Sequence, residues 1–227
     1  MSWVCRGFVV GLSGVFEGMG EMSSPLSIAS VTSVIKSVLE NGLVMHGATA
    51  VVGELAVTAM PPDRITTGAD ERSQLNIYLY RITPNTAWRA ISSDATQPNG
   101  ARAVPLSLSL DLHYLLTAYG ERDYHAETLL GSAMELLHQT PVFTHETIAP
   151  TLASLAERSG SGASVFADVI NSIDRITLSP EFLTMEDLTK LWSALQARFR
   201  LSATYQASVL MRAAPDVAVP SRTSRNR

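Results

Sequence analysis

The fold is decided by LSLSLDLHYLLT, residues 106–117. Leu106, Leu108, Leu110, Leu112, Tyr114 and Leu116 recur at every second position. Successive side chains of a strand point to opposite faces, so this period sets one apolar face of a β-strand. Leu110, Leu112 and Tyr114 are expected in the core. His113 is expected on the opposite face, where a hydrogen-bonded structural histidine is the ordinary reading. Two other stretches alternate in the same way. In QLNIYLYRI, residues 74–82, Leu75, Ile77 and Leu79 share one face and Asn76, Tyr78 and Tyr80 the other. In residues 201–213, Tyr205, Ala207, Val209 and Met211 fall in line. Ile173, Arg175 and Thr177 suggest a shorter strand running into Pro180. Residues 48–60 are apolar and of strand type, closed by the rigid turn Pro61-Pro62-Asp63.

Helical spacing appears between these strands. Ser27 is expected to cap a helix with Ile28, Val31, Ile35 and Leu39 on its core face, ended by Asn41-Gly42. Residues 122–138 carry Leu130, Met134 and Leu137 on one stripe, and Pro141 stops them. A weaker helix covers 147–157. Thr184 and Asp187 have capping-box spacing ahead of the stripe Leu188, Leu191, Trp192 and Leu195. Pro84 opens a short helical turn anchored by Trp88 and Ile91, and 92–103 reads as a loop. Helix, strands, helices and strands in this order predict an α+β fold: one domain with a largely antiparallel sheet flanked by helices. Residues 22–214 are assigned to that domain. Residues 1–21, Gly-rich and without a period, are expected to be a non-structural extension, and 215–227 a flexible polar tail.

Composition narrows the function. The chain has 227 residues, 46% hydrophobic and 17% charged, which suits a folded globular protein. Its formal charge of −4 lacks the basic excess that phosphate-driven nucleic-acid binding needs. Cys5 is the single cysteine, excluding an internal disulfide framework or a cysteine-cluster zinc site. No apolar run reads as a membrane span of ~20 residues. Only Lys36 and Lys190 are lysines; every other basic residue is arginine. Arginine is enriched at interfaces, although a genomic base bias gives the same pattern.

Motifs for chemistry fail one by one. His145-Glu146 opens like HExxH, but Ala149 stands where the second ligand is needed. Gly11 to Val15 fails the nucleophile elbow at Val15. There is no phosphate-cradling GxxxxGK[ST] loop. The five histidines have no partner at metal-ligand spacing, and Glu186 and Asp187 sit where they favour a helix N-terminus. The reading is no enzyme, no cofactor and no metal. A small hydrolase with a site assembled from distant His and Asp residues, using His113 or His125, is the competing reading from another class.

Several blocks, in order, resemble one family. They are Pro61-Pro62-Asp63-Arg64-Ile65, Asn76-Ile77-Tyr78-Leu79-Tyr80, Ile82-Thr83-Pro84-Asn85 and Leu110 to Gly120. His125, Leu129-Leu130-Gly131, Leu188 to Trp192 and Tyr205-Gln206-Ala207-Ser208-Val209 follow. Together they resemble the cap or tail-terminator proteins of extracellular contractile injection systems, of the antifeeding-prophage and Photorhabdus virulence cassette type. The resemblance spans roughly residues 25–212.

It implies a structural protein with a tail-terminator-like fold. Such a protein forms a ring, a homohexamer, that closes the inner tube and sheath at the end distal to the baseplate. Its implied partners are itself, sheath and tube proteins, with neither nucleic acid nor membrane. It implies assembly in the bacterial cytoplasm on a phage-tail-like particle that can be released. A peripheral adaptor binding baseplate or effector is the alternative. The family-motif positions are Pro61, Pro62, Asp63, Asn76, Pro84, Leu112, Tyr114, Gly120, His125, Gly131, Trp192 and Gln206. Tyr78, Tyr80, Tyr119, Arg81 and Asn85 are the candidates for protein contacts; a second packed layer would account for the tyrosines equally well.

Overall fold

The computed structural model describes residues 27–86, 107–159 and 170–212. The expectations for residues 1–21, Trp88, Ile91, the 92–103 loop and the tail from 215 lie outside the described residues. The described elements begin with α1 (Ser27–Met45), α2 (Ala48–Val52), β1 (Ala56–Thr58), a 3-10 turn (Pro62–Arg64), β2 (Gln74–Pro84) and β3 (Ser107–Tyr119). They continue with α3 (His125–Gln139), β4 (Val142–Thr144), α4 (His145–Ser159), β5 (Ile173–Glu181), α5 (Met185–Ala194) and β6 (Ser202–Arg212). The strands form one sheet in the order β1-β2-β3-β6-β5-β4. Only β1 and β2 run parallel; the other pairs are antiparallel, as the α+β reading expects.

The period of two sorts β6 and, from Leu110 on, β3 as expected; Leu108, at the start of β3, is 46% exposed, and Leu106 lies outside the described residues. Leu110, Leu112, Tyr114 and Leu116 meet Tyr205, Ala207, Val209 and Met211 in one buried cluster. Helices α1, α3 and α4 cover this face. The α1 residues Val31, Val34, Ile35, Leu39 and Leu43 have no exposed surface, each burial stabilising by about 1.5–3 kcal/mol. By length and hydropathy α1 is the one described helix that could cross a membrane, which corrects the expectation that no run comes near. Its buried stripe instead makes it the central helix of the core.

Other expectations change for local reasons. Helix α1 continues through Asn41-Gly42 to Met45. A Cβ on Gly42 would stand 2.2 Å from Leu136 Cδ2, so this glycine serves close helix approach rather than a stop. Ser27 Oγ is buried without a partner, so the expected cap bond is absent. Residues 48–52 form α2 rather than a strand, bounded by Gly47 and Gly53, both at φ 75°. Only Ala56–Thr58 of the expected long strand pairs with β2. In α3 the core stripe is Leu129, Leu130, Ala133, Leu136 and Leu137, and Met134 lies outside it, 43% exposed. An irregularity between Ile173 and Ile176 reverses the faces of β5, burying Ile176 and Leu178 while Arg175 is exposed.

Helix α5 starts as its sequence predicts. Thr184 Oγ1 accepts from the Asp187 backbone N–H at 3.2 Å and donates to Asp187 Oδ2 at 2.7 Å. Trp192 is buried, whereas Leu188, Leu191 and Leu195 are half-buried. Leu115, Tyr119 and Trp192 are buried apart from the main core, and Leu115 and Tyr119 point to the outer face of the sheet.

Candidate functional site

A β-bulge in β2 builds the site. Leu79 pairs with Tyr114 and Arg81 with His113, which leaves Tyr80 as the extra residue. Simple alternation would place Arg81 on the core face with Leu75, Ile77 and Leu79. The bulge reverses this and sends Arg81 and Thr83 to the outer face beside His113.

His113 is 3% exposed, with both ring nitrogens engaged. Nδ1 lies 3.0 Å from both oxygens of Glu181, at the end of β5, and Nε2 lies 2.9 Å from Thr83 Oγ1. The network assigns the proton to Nδ1, donating to the carboxylate, so Nε2 accepts from Thr83. Arg81 Nη2 donates to Glu181 Oε1 at 3.2 Å. It also lies 3.3 Å from His113 Nδ1, but two donors facing each other make a contact and not a bond. Tyr80 donates its hydroxyl to Glu181 Oε2 at 2.8 Å. Burial, then the Glu181 carboxylate, push the Tyr80 hydroxyl well above the usual phenol range. Thr204 Oγ1 of β6 donates to the Glu181 carbonyl at 2.6 Å, so the cluster joins four adjacent strands.

The polar strip continues along the sheet. Asp111 Oδ1 accepts from Asn85 Nδ2 at 2.9 Å and from Ser208 Oγ at 2.6 Å. Gln206 Nε2 reaches Ser208 Oγ at 3.4 Å. The structure gathers three of the contact candidates, Tyr80, Arg81 and Asn85, on one face together with the family-motif residue Gln206. Tyr78 is half-buried on β2. Tyr119 is 1% exposed and is not available for a contact. It lies beneath Arg200, whose guanidinium is 5.7 Å from the ring centroid.

Arg200 in turn pairs with Glu71 at 2.8 and 3.3 Å. Glu71 also accepts from the Gly120 N–H, while Ser73 Oγ holds His125 Nδ1 at 2.8 Å. These bonds secure the end of β3. Gly120 has a steric reason to be glycine, since a Cβ would sit 2.8 Å from both Ala126 N and His125 Cβ. Asn76 is wholly buried, its amide bonding Thr58 Oγ1 and both the N–H and the carbonyl of Met60. It fixes the approach to Pro61, Pro62 and Asp63. Pro84 ends β2, Leu112 and Tyr114 are core, and Gly131 has open space beside it in α3.

Thr83, His113 and Glu181 follow the hydrogen-bond order of a nucleophile, base and carboxylate. A surface cavity of about 300 Å³ lies along β5 and β6, lined by Asp174, Arg175, Thr177, Ser208, Val209 and Leu210. Among the described residues no group of three or more His, Cys, Asp or Glu is placed to hold a metal. The cluster fixes the half-buried Tyr80 and the exposed Arg81 through Glu181. Glu181, its centre, carries no local sequence signal: it sits 68 positions from His113 and 101 from Tyr80.

Among solved structures, the chain is similar to a PVC sheath/tube terminator of an extracellular contractile injection system in its extended state. Identity is 17% and the TM-score 0.48, over 88% of this chain and 64% of that one. It is also similar to the tube-terminating cap of the anti-feeding prophage, at 17% identity and a TM-score of 0.45, over 83% and 59%. The chain thus spans less than two thirds of the length of either. No curated protein matches it. Residues 30–225 match the model of the Pvc16 N-terminal domain, and the chain belongs to that family.

Proposed function

We propose that this chain is the terminator of a contractile injection particle, a non-enzymatic cap that closes the inner tube and sheath at the end distal to the baseplate. Family membership over residues 30–225 carries the reading. The cap acts as a ring of copies of itself, hexameric as the family resemblance implies, assembled in the cytoplasm onto the growing particle. A head-to-tail contact whose rotation closes generates such a ring.

The sheet suits contact with a tube or sheath. Strand β1 pairs only with Gln74, Leu75 and Asn76 of β2, so among the described residues no strand lies on that side of Ile77–Pro84. Such an edge can take an extended arm from a sheath subunit. Gold-labelled chain on intact particles tests the placement. Label at the end opposite the baseplate is expected; label at the baseplate would favour an adaptor.

A further inference from the structure

The open side of β2 begins where Asn76 ends the β1 ladder. Asn76 is wholly buried, and its amide serves Met60 as a neighbouring backbone would. Oδ1 accepts the Met60 N–H at 3.1 Å, and Nδ2 donates to the Met60 carbonyl at 2.9 Å. Oδ1 also accepts the Thr58 hydroxyl at 2.9 Å. The chain is thereby drawn off the sheet edge directly after Thr58. Pro61-Pro62, which have no N–H to offer a ladder, lead it on into the 3-10 turn.

Beyond that point the directions of the β2 backbone groups follow from one bond. The Asn85 N–H donates to the Ser109 carbonyl at 3.0 Å, towards β3. Backbone groups of an antiparallel strand face its partner at every second residue, so Arg81 and Thr83 also turn to β3. Ile82 and Pro84 turn to the open side, where proline has no N–H to lose. Across the bulge, the same count along β3 turns Tyr78 inward and Leu79 outward. The two faces of this edge differ in chemistry. Leu79, half-buried, and Ile82, 44% exposed, bring the helix-side face out to it. Arg81 stands on the outer face, 52% exposed and engaged among the described residues through Nη2 alone. The Glu181 carboxylate it touches is only 15% exposed, so the charge shown at the edge is positive.

The geometry points to an extended, acidic segment of another particle subunit pairing with β2 from Leu79 to Pro84. Its apolar side chains lie over Leu79 and Ile82. The alternate, polar ones lie beside Tyr78 and Arg81, with a carboxylate on the remaining donors of Arg81. This rests on the terminator reading and gives the sheath arm its place, its alternation and its charge.

The photo-crosslinker p-benzoylphenylalanine in place of Ile82 tests it in assembled particles, with adducts mapped by mass spectrometry. The adduct is expected on one short sheath segment that alternates apolar and polar residues and carries Asp or Glu at a polar position. Adding Arg81→Glu should lower its yield about tenfold or more. Reversing the partner's acid to Arg should then restore it, which a misfolded chain could not do. Particles that contain the crosslinker chain but give no adduct would overturn the pairing. So would an adduct on a helix or on a second copy of this chain, or a yield indifferent to Arg81→Glu. An adduct of the expected pattern on a baseplate subunit would uphold the pairing and overturn the terminator reading. Scattered lengths on gene deletion, with no adduct at position 82, would do the reverse.

Discussion

Glu181 accepts the Tyr80 hydroxyl at 2.8 Å across the two strands, β3 and β6, that separate their own. The same carboxylate holds His113 and Arg81. One acidic side chain thus sets the positions of three residues on the outer face.

Glu181→Ala should therefore cost more than a surface substitution. It leaves the buried His113 and the half-buried Tyr80 hydroxyl without their acceptor, a loss of about 2–3 kcal/mol. Tyr80→Phe alone should cost about 1 kcal/mol. A double-mutant cycle by urea unfolding should return a coupling near 1 kcal/mol; strict additivity would show that the bond contributes nothing.

The two glycines shared with the family blocks should behave in opposite ways. Gly120→Ala pushes a methyl group against Ala126 N and His125 Cβ, and overpacking of this kind costs about 1–3 kcal/mol. Gly131→Ala meets open space inside α3 and should stabilise by about 0.5–1 kcal/mol. Thermal melts of both variants check the sign. A Gly120→Ala variant that melts no lower than the parent would refute the packing at Gly120, and a destabilised Gly131→Ala would refute the open space beside Gly131.

Alkaline pH should expose the burial of Tyr119. Burial, opposed by Arg200 and assisted by Glu71, pushes its hydroxyl up to about 12. In the unfolded chain it ionises near the ordinary phenol value of about 10. The folded pKa is raised, so its contribution is full below pH ~10 and is lost as pH climbs towards ~12. Tyr119→Phe should lose less stability across that window than the parent. Identical pH profiles would contradict the assignment.

How much of this was legible depends on the range of the interaction. Strand β3 and its partner β6 alternate because one face is buried against α1, α3 and α4, and a period of two records that directly. Thr184 and Asp187 act within one helical turn, so their spacing is enough. Residues 48–52 mislead because Ala-Thr-Ala-Val-Val is strand-like by propensity. Two glycines at positive φ and the packing of Ala48 and Val52 decide for a helix. The bulge at Tyr80 has no local signature, yet it moves Arg81 to the outer face. Tyr78, Tyr80 and Tyr119 look alike in sequence. They part only when Arg200, far along the chain, covers Tyr119.

The central claim, that this chain ends a tube, is tested most directly by deleting its gene and measuring tube and sheath lengths by negative-stain electron microscopy. The account predicts scattered lengths, or tubes that have lost their sheath, restored by the parent gene. Particles of uniform parental length with sheath retained would contradict it.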